Sequence, residues 1–343
     1  MQPGTWSLTT GVLVFVACAA AIALVGSRLT RTADRLADRT GIGEALAGAV
    51  LLGATTSLSG SVLSVTAAFN DRPELAMGNA LGGIAVQKLF LAVADAFHPR
   101  ANLEHAAASV SNLLQASLLV VLLGLLLASP YLPDVTIWQV HPLTPVMLGV
   151  YLGGLLLVRR GHVAPMWNPQ RTDDTRSDVP DEASGQLSLP RLWTEFAAEA
   201  VLIGAAGWLL QGAAAAVSRE AGISASTMGL LLTSTSTSLP ELVTSVAAVR
   251  QGALTLAVGG IVGGNAFDTL FGAFSDVAYR GGSIYHTMPD DVRLWLAGSI
   301  AMTGMLLLGL VARQARGPAR IGFESVAIIA IYVLLAGTVL FGA

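Results

Sequence analysis

Ten segments of the sequence are long and apolar enough to span a membrane, and this pattern constrains the fold more than any other feature. A bilayer core requires about 20 consecutive apolar residues per helix. The segments lie at about 7–27, 42–69, 74–97, 108–129, 143–160, 193–217, 222–249, 253–278, 292–312 and 322–342. Several are rich in glycine and alanine, which favour helices that pack on one another. The sequence therefore predicts an all-α polytopic membrane protein.

The charge content excludes most other classes of protein. Charged residues make up 12% of the 343 residues, whereas an ordinary soluble domain has about 25%. The net charge is −3, and no cluster of Lys and Arg is large enough to follow a nucleic-acid backbone. The sequence contains no Walker A loop, no GxSxG motif and no HExxH motif. We therefore expect no enzymatic activity, no covalent cofactor and no nucleic-acid partner.

The distribution of arginine predicts the orientation in the membrane. With the N-terminus outside, 14 arginines fall in cytoplasmic loops and 4 in outer loops. The first cytoplasmic loop would hold Arg28, Arg31, Arg35 and Arg39. By the positive-inside rule, this asymmetry predicts both termini outside, with the protein in the plasma (inner) membrane.

An internal repeat divides the chain into two halves. Residues 56–95 align without gaps with residues 237–276 at an offset of 181, with 17 identities in 40 positions. Each copy covers the second and third segments of its half. Because five is an odd number of spans, the second half must enter the membrane from the opposite side. Inverted repeats with interrupted helices are typical of secondary transporters whose site lies near the midplane.

The predicted organisation follows from this repeat. Residues 1–160 form a first five-helix repeat, 161–192 a polar cytoplasmic linker, and 193–343 a second five-helix repeat. The duplicated cores lie at about 53–97 and 233–278. Glycine, serine, threonine and proline near the middle of the second, third, seventh and eighth segments predict breaks in those helices.

Two carboxylates lie in the middle of apolar segments of the second half. Glu241 and Asp268 would each cost about 2.5–3.5 kcal/mol at the centre of a bilayer. A run of hydroxyl residues, 233–238, precedes Pro240, and proline frees a backbone carbonyl in the preceding turn. Asn265 lies one turn before Asp268. Carboxylate, hydroxyl and carbonyl oxygens together suit hard cations such as Ca²⁺ and Na⁺. For Glu241, an interhelical hydrogen bond without an ion is the alternative.

The stretches TSLPELVTS and GGIVGGNAFD, at 237–245 and 259–268, resemble the repeat signature of the sodium/calcium exchanger family. The family pattern is roughly GTSxPE followed by GNxxGSNxFN/D. The resemblance covers nearly the whole chain and implies a ten-span inverted fold. It also implies exchange of Ca²⁺ or another cation for Na⁺, H⁺ or K⁺ by alternating access. The cation-binding residues that we infer are Glu241, Asp268, Thr237 (through its carbonyl), Ser238 (through its hydroxyl), Asn265, Thr56, Ser57 and Gln87, with the repeat glycines Gly82, Gly83, Gly263 and Gly264.

The first copy departs from the pattern at the positions that would bind the ion. Ser59 and Gly60 stand where the family has Pro-Glu, and Gln87 stands where it has the last Asn. The next residue is Lys88, the only lysine in the sequence, where the second copy has Thr269.

Three hypotheses stay open from these departures. The protein could exchange monovalent cations, with Lys88 as a tethered cation or a titrating group. It could still carry Ca²⁺, with Lys88 turned aside. It could be a relic without transport, such as a membrane interaction protein, and a cation channel is a further alternative. Lys88 itself could instead pair with Asp95 on the same helix face, or extend its ammonium to the membrane surface.

Three acids near segment ends have structural interpretations. Asp95 and Asp276 occupy equivalent positions in the two copies and would either line exit vestibules or cap helices. Glu324 begins the last segment, where an acid in the first turn is favoured by the helix dipole.

Overall fold

The structure is a computed structural model that describes residues 6–40, 55–95, 102–163, 166–170, 188–251, 254–315, 317 and 321–341. These residues form helices, short turns and a single isolated β-bridge. The helices are α1 (Leu8–Thr40), α2 (Leu58–Phe69), α3 (Pro73–Asp95), α4 (Leu103–Ala107), α5 (Val110–Ala128), α6 (Leu143–Val163), α7 (Leu189–Ala221), α8 (Leu239–Gln251), α9 (Leu254–Asp268), α10 (Leu270–Ala278), α11 (Asp290–Ala312) and α12 (Phe323–Phe341). Between α7 and α8, residues 225–237 form a further helical segment, in which Met228–Thr233 is a π-helix.

The predicted all-α membrane fold is confirmed. Within the described residues, eight helical segments are long and apolar enough to cross a membrane, judged by length and composition. The shorter apolar helix α2 comes in addition. The count of ten spans stays a prediction, because much of the second segment (42–54) lies outside the described residues. The greater part of the polar linker, 171–187, lies outside them as well.

The helix bounds repeat along the chain with the offset of 181 that relates the two sequence copies. The helices α1 and α7 each have 33 residues and begin at Leu8 and Leu189. The next pair, α2 and α8, begins at Leu58 and Leu239. The duplication therefore extends well beyond the 40 aligned positions. The two long helices α1 and α7 pack along each other.

The length of α1 corrects one expectation about the first loop. The helix continues to Thr40, so the four arginines between positions 28 and 39 lie on its last three turns rather than in a loop. Of the four, Arg28 and Arg31 lie within the apolar span, which ends near Ala33, and Arg35 and Arg39 follow it.

The helix α3 forms the centre of the core. It contacts α2, α9, α11, α12 and the segment 225–237, and nearly all its residues are buried. The predicted break in this segment was wrong, because α3 is continuous from Pro73 to Asp95. Its glycines lower helix propensity by about 1 kcal/mol each, but here tight packing on both sides keeps the helix intact.

The breaks predicted in the second and seventh segments are present. The chain leaves helical geometry at Ser57 (φ −86°, ψ 5°) just before α2, and at Ser238 (φ −93°, ψ 7°) just before α8. Ser57 and Ser238 are equivalent in the two copies. In the eighth segment, α9 and α10 meet at Thr269, whose dihedral angles (φ −59°, ψ −26°) stay helical, so the chain is not bent away from helical geometry there. The π-helix that precedes the Ser238 break is a form often found at functional sites.

Close approach of two backbones explains why Gly82 carries no side chain. A Cβ atom at this position would collide with the carbonyl oxygen and Cα of Leu230 in the π-helix. Gly78, one turn earlier, faces the backbone of Gly229 in the same way. The would-be Cβ of Gly78 lies 3.2 Å from the Cα of Gly229. The glycines therefore let α3 pack against the segment that leads to the Ser238 break.

We predict that Gly82→Ala lowers the free energy of unfolding by about 1–3 kcal/mol, the usual cost of overpacking. The measurement is the melting temperature of the protein purified in detergent. Gly153→Ala on α6 is the matched control, since a Cβ there meets no atom within 4 Å, and it should melt at or above the wild-type temperature. Equal melting temperatures for the two variants would contradict the assignment.

Candidate ion-binding site

The candidate site lies where the two helix breaks face the middle of α3 and the end of α9. Glu241 lies in the first turn of α8, directly after the Ser238 break. Asp268 is the last residue of α9, and Gln87 lies in the second half of α3. All three side chains are buried. The breaks thus bring backbone and side-chain oxygens of both copies into the interior.

Gln87 joins the two repeats directly. Its Nε2 donates a hydrogen bond of 2.8 Å to Asp268 Oδ2 and a longer one of 3.3 Å to Ser238 Oγ. Gln87 and Asp268 are themselves equivalent residues, separated by the repeat offset of 181. Residues related by a two-fold pseudo-symmetry meet only close to its axis, so the site lies at the interface of the repeats.

Glu241 is almost fully buried, at 4% exposure. The Thr56 hydroxyl, from the first copy, donates a hydrogen bond to its carboxylate. The negative charges of Glu241 and Asp268 are close enough to repel each other. Two buried like charges without a partner are strongly unfavourable, so this pair calls for a compensating positive charge.

Several buried oxygens around these acids make no hydrogen bond within the described part of the chain. They are Gln87 Oε1, Glu241 Oε2, Asn265 Oδ1 and Asp268 Oδ1, whereas the Ser57 hydroxyl is close enough to donate to the Asp268 carboxylate. Native proteins satisfy the large majority of buried polar atoms, so each exception requires an explanation. Carboxylate, amide and hydroxyl oxygens are the ligands that hard cations prefer. The donor set therefore fits Ca²⁺ or Na⁺.

Lys88 is fully buried next to this site, at 0% exposure. Its Nζ donates a 2.9 Å hydrogen bond to the Ile84 carbonyl in its own helix. No ion pair of Lys88 occurs among the described residues, although its charge is attracted by that of Asp268. The ammonium therefore lies beside the acids without occupying their free oxygens.

Both alternative roles considered for Lys88 were wrong. Complete burial excludes an ammonium that reaches the membrane surface. Asp95 is not its partner either, because both Asp95 oxygens accept hydrogen bonds from other groups: Leu103 N, Gly322 N and Ser325 Oγ.

Two residues that sequence reasoning missed connect the repeats beside the site. The Ser59 hydroxyl donates a 3.2 Å hydrogen bond to the Thr237 carbonyl, the oxygen expected to bind the ion. Asn79 contacts Gly60 O, Ser64 Oγ and the Thr237 hydroxyl. Asn79 lies at the start of a glycine-rich stretch, GNALGG, and the equivalent position in the second copy is a glycine, so the alignment of the copies gave no signal.

The four repeat glycines divide into two pairs. Gly83 and Gly264 face site residues: their would-be Cβ atoms lie 3.5 Å from Ser238 Oγ and 3.7 Å from Gln87 Oε1. Gly82 and Gly263 face other helices, and the would-be Cβ of Gly263 lies 3.2 Å from Gln115 Oε1. The first pair therefore makes room for the site and the second pair for helix packing.

The position that holds glutamate in the family pattern is filled differently here. A Cβ at Gly60 would lie 2.8 Å from Cε2 of the Phe271 ring. Gly60 is the equivalent of Glu241, so the site contains one glutamate instead of two. The aromatic ring occupies the space that the second would need.

Comparison with known proteins identifies the family. The sequence model of the sodium/calcium exchanger protein family matches residues 10–159 and 192–341. The chain belongs to the sodium/calcium exchanger family. The two matched ranges are the two repeats, and together they include every residue of the candidate site.

Two curated proteins are similar in sequence to this family member. The Inner membrane protein YrbG of Escherichia coli (strain K12) is 29% identical over 271 residues, which cover 78% of this chain and 77% of YrbG. The Putative antiporter CaxA of Alkalimonas amylolytica is 28% identical over 248 residues, covering 71% of this chain and 72% of CaxA.

Solved exchanger structures share the fold. The H⁺/Ca²⁺ exchanger CAX superposes with a TM-score of 0.67 at 13% identity, over 97% of this chain and 88% of CAX. The sodium-calcium exchanger NCX_Mj superposes with a TM-score of 0.60 at 19% identity, over 95% of this chain and 98% of NCX_Mj. At such identities the likeness shows the fold, and the inverted-repeat architecture is confirmed.

We predict that Gly60→Glu, which restores the glutamate of the family pattern, destabilises the protein by roughly 1–3 kcal/mol through overpacking against Phe271. A second substitution, Phe271→Ala, removes the obstructing ring. A double-mutant cycle on melting in detergent should therefore show a favourable coupling of about 0.5–3 kcal/mol. Strictly additive effects would show that Phe271 does not fill this space.

Proposed function

We propose that this protein is a secondary active antiporter that carries Ca²⁺ across the membrane in exchange for Na⁺ or H⁺. The observation that carries the proposal is the set of unpartnered, buried oxygens from both repeats around Glu241 and Asp268. Membership of the sodium/calcium exchanger family and the fold shared with CAX and NCX_Mj support it. We further propose that the ion is bound by Glu241, Asp268, Asn265, Ser57 and the Gln87 amide oxygen, and that the other predicted ligands, Thr56, Thr237 and Ser238, hold these groups in place.

The electrostatics of the site favour exchange over leakage. A site with two buried carboxylates and one lysine has a net charge of −1, and moving a buried charge through a low-dielectric core is costly. A bound Na⁺ or H⁺ cancels that net charge, and a bound Ca²⁺ reverses its sign while it satisfies the free carboxylate oxygens. The site therefore switches readily from one side of the membrane to the other only when a cation is bound. This requirement couples the outward passage of one cation to the inward passage of another.

The two repeats supply the two states that alternating access requires. Because the site lies on the interface between them, a small rocking of one repeat against the other opens it to one side and closes it to the other. We propose that residues 1–160 and 193–343 are these units, with 161–192 as the cytoplasmic connection. The arginine asymmetry supports both termini outside, and the relative YrbG is named as an inner membrane protein, which supports the same location here.

We predict that Glu241→Gln abolishes exchange. The substitution keeps the shape of the side chain but removes a charged ligand, so Ca²⁺ flux should fall by at least about 100-fold, more than the loss of a supporting partner costs. The measurement is uptake of Ca²⁺ by proteoliposomes that contain purified protein and an outward gradient of Na⁺ or H⁺.

Asp290→Asn is the matched control for this experiment. Its side chain is 95% exposed in the first turn of α11, so flux should equal that of the wild type. Unchanged flux in Glu241→Gln would show that the ion binds elsewhere. Flux that needs no opposing gradient and saturates only at very high Ca²⁺ would indicate a channel.

Exchange of monovalent cations is the second candidate, and Lys88 is the observation that favours it. Its charge acts on Asp268 from inside the same helix bundle. A net site charge of −1 is neutralised by a single Na⁺, whereas a bound Ca²⁺ leaves an excess of +1. Lys88 therefore weakens Ca²⁺ binding relative to Na⁺ binding.

We predict that Lys88→Thr, which copies the equivalent residue Thr269, raises the affinity for Ca²⁺ by about tenfold or more. Removing a unit charge that lies beyond ion-pair distance is worth on the order of 1–2 kcal/mol at an effective dielectric constant of about 20. Transport assays with Ca²⁺, Na⁺, K⁺ and H⁺ gradients measure the preference. Lys88→Met should change it in the same direction, since it also removes the charge. Identical ion preference in all three proteins would show that Lys88 has no part in selectivity.

A further inference from the structure

A second group of buried acids lies far along α3 from the candidate transport site. Asp95 ends α3, Glu104 lies in α4 and Glu324 lies in the first turn of α12. One carboxylate oxygen from each lies within 4.8 Å of those of the other two. Their exposures are 0%, 2% and 1%. Three helices therefore bring three acids to one point inside the protein.

The three acids differ in what already satisfies them. Both oxygens of Asp95 accept hydrogen bonds, at 2.7 Å from Leu103 N and at 2.9 and 3.0 Å from Gly322 N and Ser325 Oγ. In contrast, Glu104 Oε2 and Glu324 Oε2 are buried and accept from no donor group in the described part of the chain, and the two carboxyl groups lie close enough to share a proton. Burial, together with the neighbouring Glu324 and Asp95 carboxyl groups, raises the pKa of Glu104 well above its usual range.

The equivalent position in the second half of the molecule shows which contacts of Asp95 serve to join helices. Asp276, the counterpart of Asp95, accepts hydrogen bonds from Ile284 N, His141 N and Thr144 Oγ1. These donors are the counterparts of Leu103, Gly322 and Ser325 at the same offset of 181. The two aspartates therefore make the same helix-joining contacts at opposite ends of the bundle.

The two remaining positions differ between the halves. The counterpart of Glu104 is Tyr285, whose hydroxyl lies 2.8 Å from Thr144 Oγ1, and the counterpart of Glu324 is Leu143. Two neutral residues, Tyr285 and Leu143, therefore suffice at these positions in the second half. Glu104 and Glu324 add two acids that the helix contacts do not require.

The described surroundings have room for Glu324 and contain no basic side chain paired with it. Gly309 and Gly322 face its side chain, and a Cβ at Gly309 would lie 2.5 Å from Glu324 Cγ. The guanidinium of Arg313, on the adjacent α11–α12 connection, donates to the carbonyls of His105 and Gln170 instead of to the acids. Within the described residues, no ion pair involves any member of the cluster.

We propose that Asp95, Glu104 and Glu324 form a second cation site, separate from the transport site, that binds a hard divalent cation of the Ca²⁺ class. Carboxylate oxygens are the preferred ligands of such ions, and the unpartnered Oε2 atoms of the two glutamates are the oxygens available to it. The ion would hold the ends of α3 and α12 and the short helix α4 together, at the end of the repeat interface opposite to Asp276.

Mn²⁺ titration followed by electron paramagnetic resonance tests the proposal, because Mn²⁺ takes the same oxygen ligands and bound and free ions are distinguishable. The transport site is first removed with Glu241→Gln/Asp268→Asn. This double variant should still bind one Mn²⁺ per chain. Adding Glu104→Gln or Glu324→Gln should weaken that binding by at least about tenfold. Adding Tyr285→Phe, the matched change at the equivalent position, should leave it unchanged.

Two results would overturn the proposal. If the double variant binds no Mn²⁺, the cluster is a group of acids that share protons and hold no metal. If it binds one Mn²⁺ that persists when Glu104 and Glu324 are replaced, the ion lies elsewhere. Should the glutamine variants fail to fold, Glu324→Asp keeps the charge but withdraws the ligand by one methylene, and unchanged affinity in that variant would also contradict the site. Each result is independent of whether the central site transports Ca²⁺.

Discussion

Two like charges buried at the meeting point of the repeats are the constraint on which the rest of the structure depends. Glu241 and Asp268 repel each other inside a helix bundle, where an uncompensated charge costs several kcal/mol. Helix breaks at Ser57 and Ser238 bring hydroxyl and backbone groups to them, and Gln87 crosses from the other repeat to donate to Asp268. The bundle therefore surrounds two acids and leaves one oxygen of each without a hydrogen-bond partner among the described residues. An exchanged cation is the missing partner that the proposed function supplies.

The pseudo-symmetry explains why the site is central and why it is unequal. Equivalent residues meet at the axis, so a single substitution in one copy changes one side of a shared site. Gly60 stands where the family pattern has a glutamate, and the Phe271 ring lies against it. The site therefore has one glutamate instead of two. Lys88 in place of threonine adds a positive charge that stays hydrogen-bonded to its own helix. The second copy keeps both acids, Glu241 and Asp268, whereas the equivalent residues in the first copy are Gly60 and Gln87.

Much of the fold could be predicted from sequence because its signals are local. Apolar length and the repeat at offset 181 require no knowledge of packing, and the helix bounds follow them closely. The continuity of α3 could not be predicted in this way. Its glycines indicate a weak helix by propensity, but the backbone of Leu230 packs against Gly82 and supports the helix. Tertiary contact decided the outcome there.

The same limit applies to the site. Glu241 and Asp268 could be identified from the sequence because they are acids within apolar segments. Their role as ligands stays a prediction. The partners of Lys88 and Asp95 were not accessible, because spacing on one helix face suggested a pair while contacts from Leu103 and Ser325 had already satisfied the aspartate. Ser59 was missed since a hydroxyl among serines and glycines is ordinary in composition, and Asn79 was missed although it matches the first Asn of the pattern GNxxGSNxFN/D. Only the three-dimensional arrangement shows that these two groups fasten the first repeat to Thr237. Under the alternating access that we propose, these bonds would have to loosen as one repeat moves against the other.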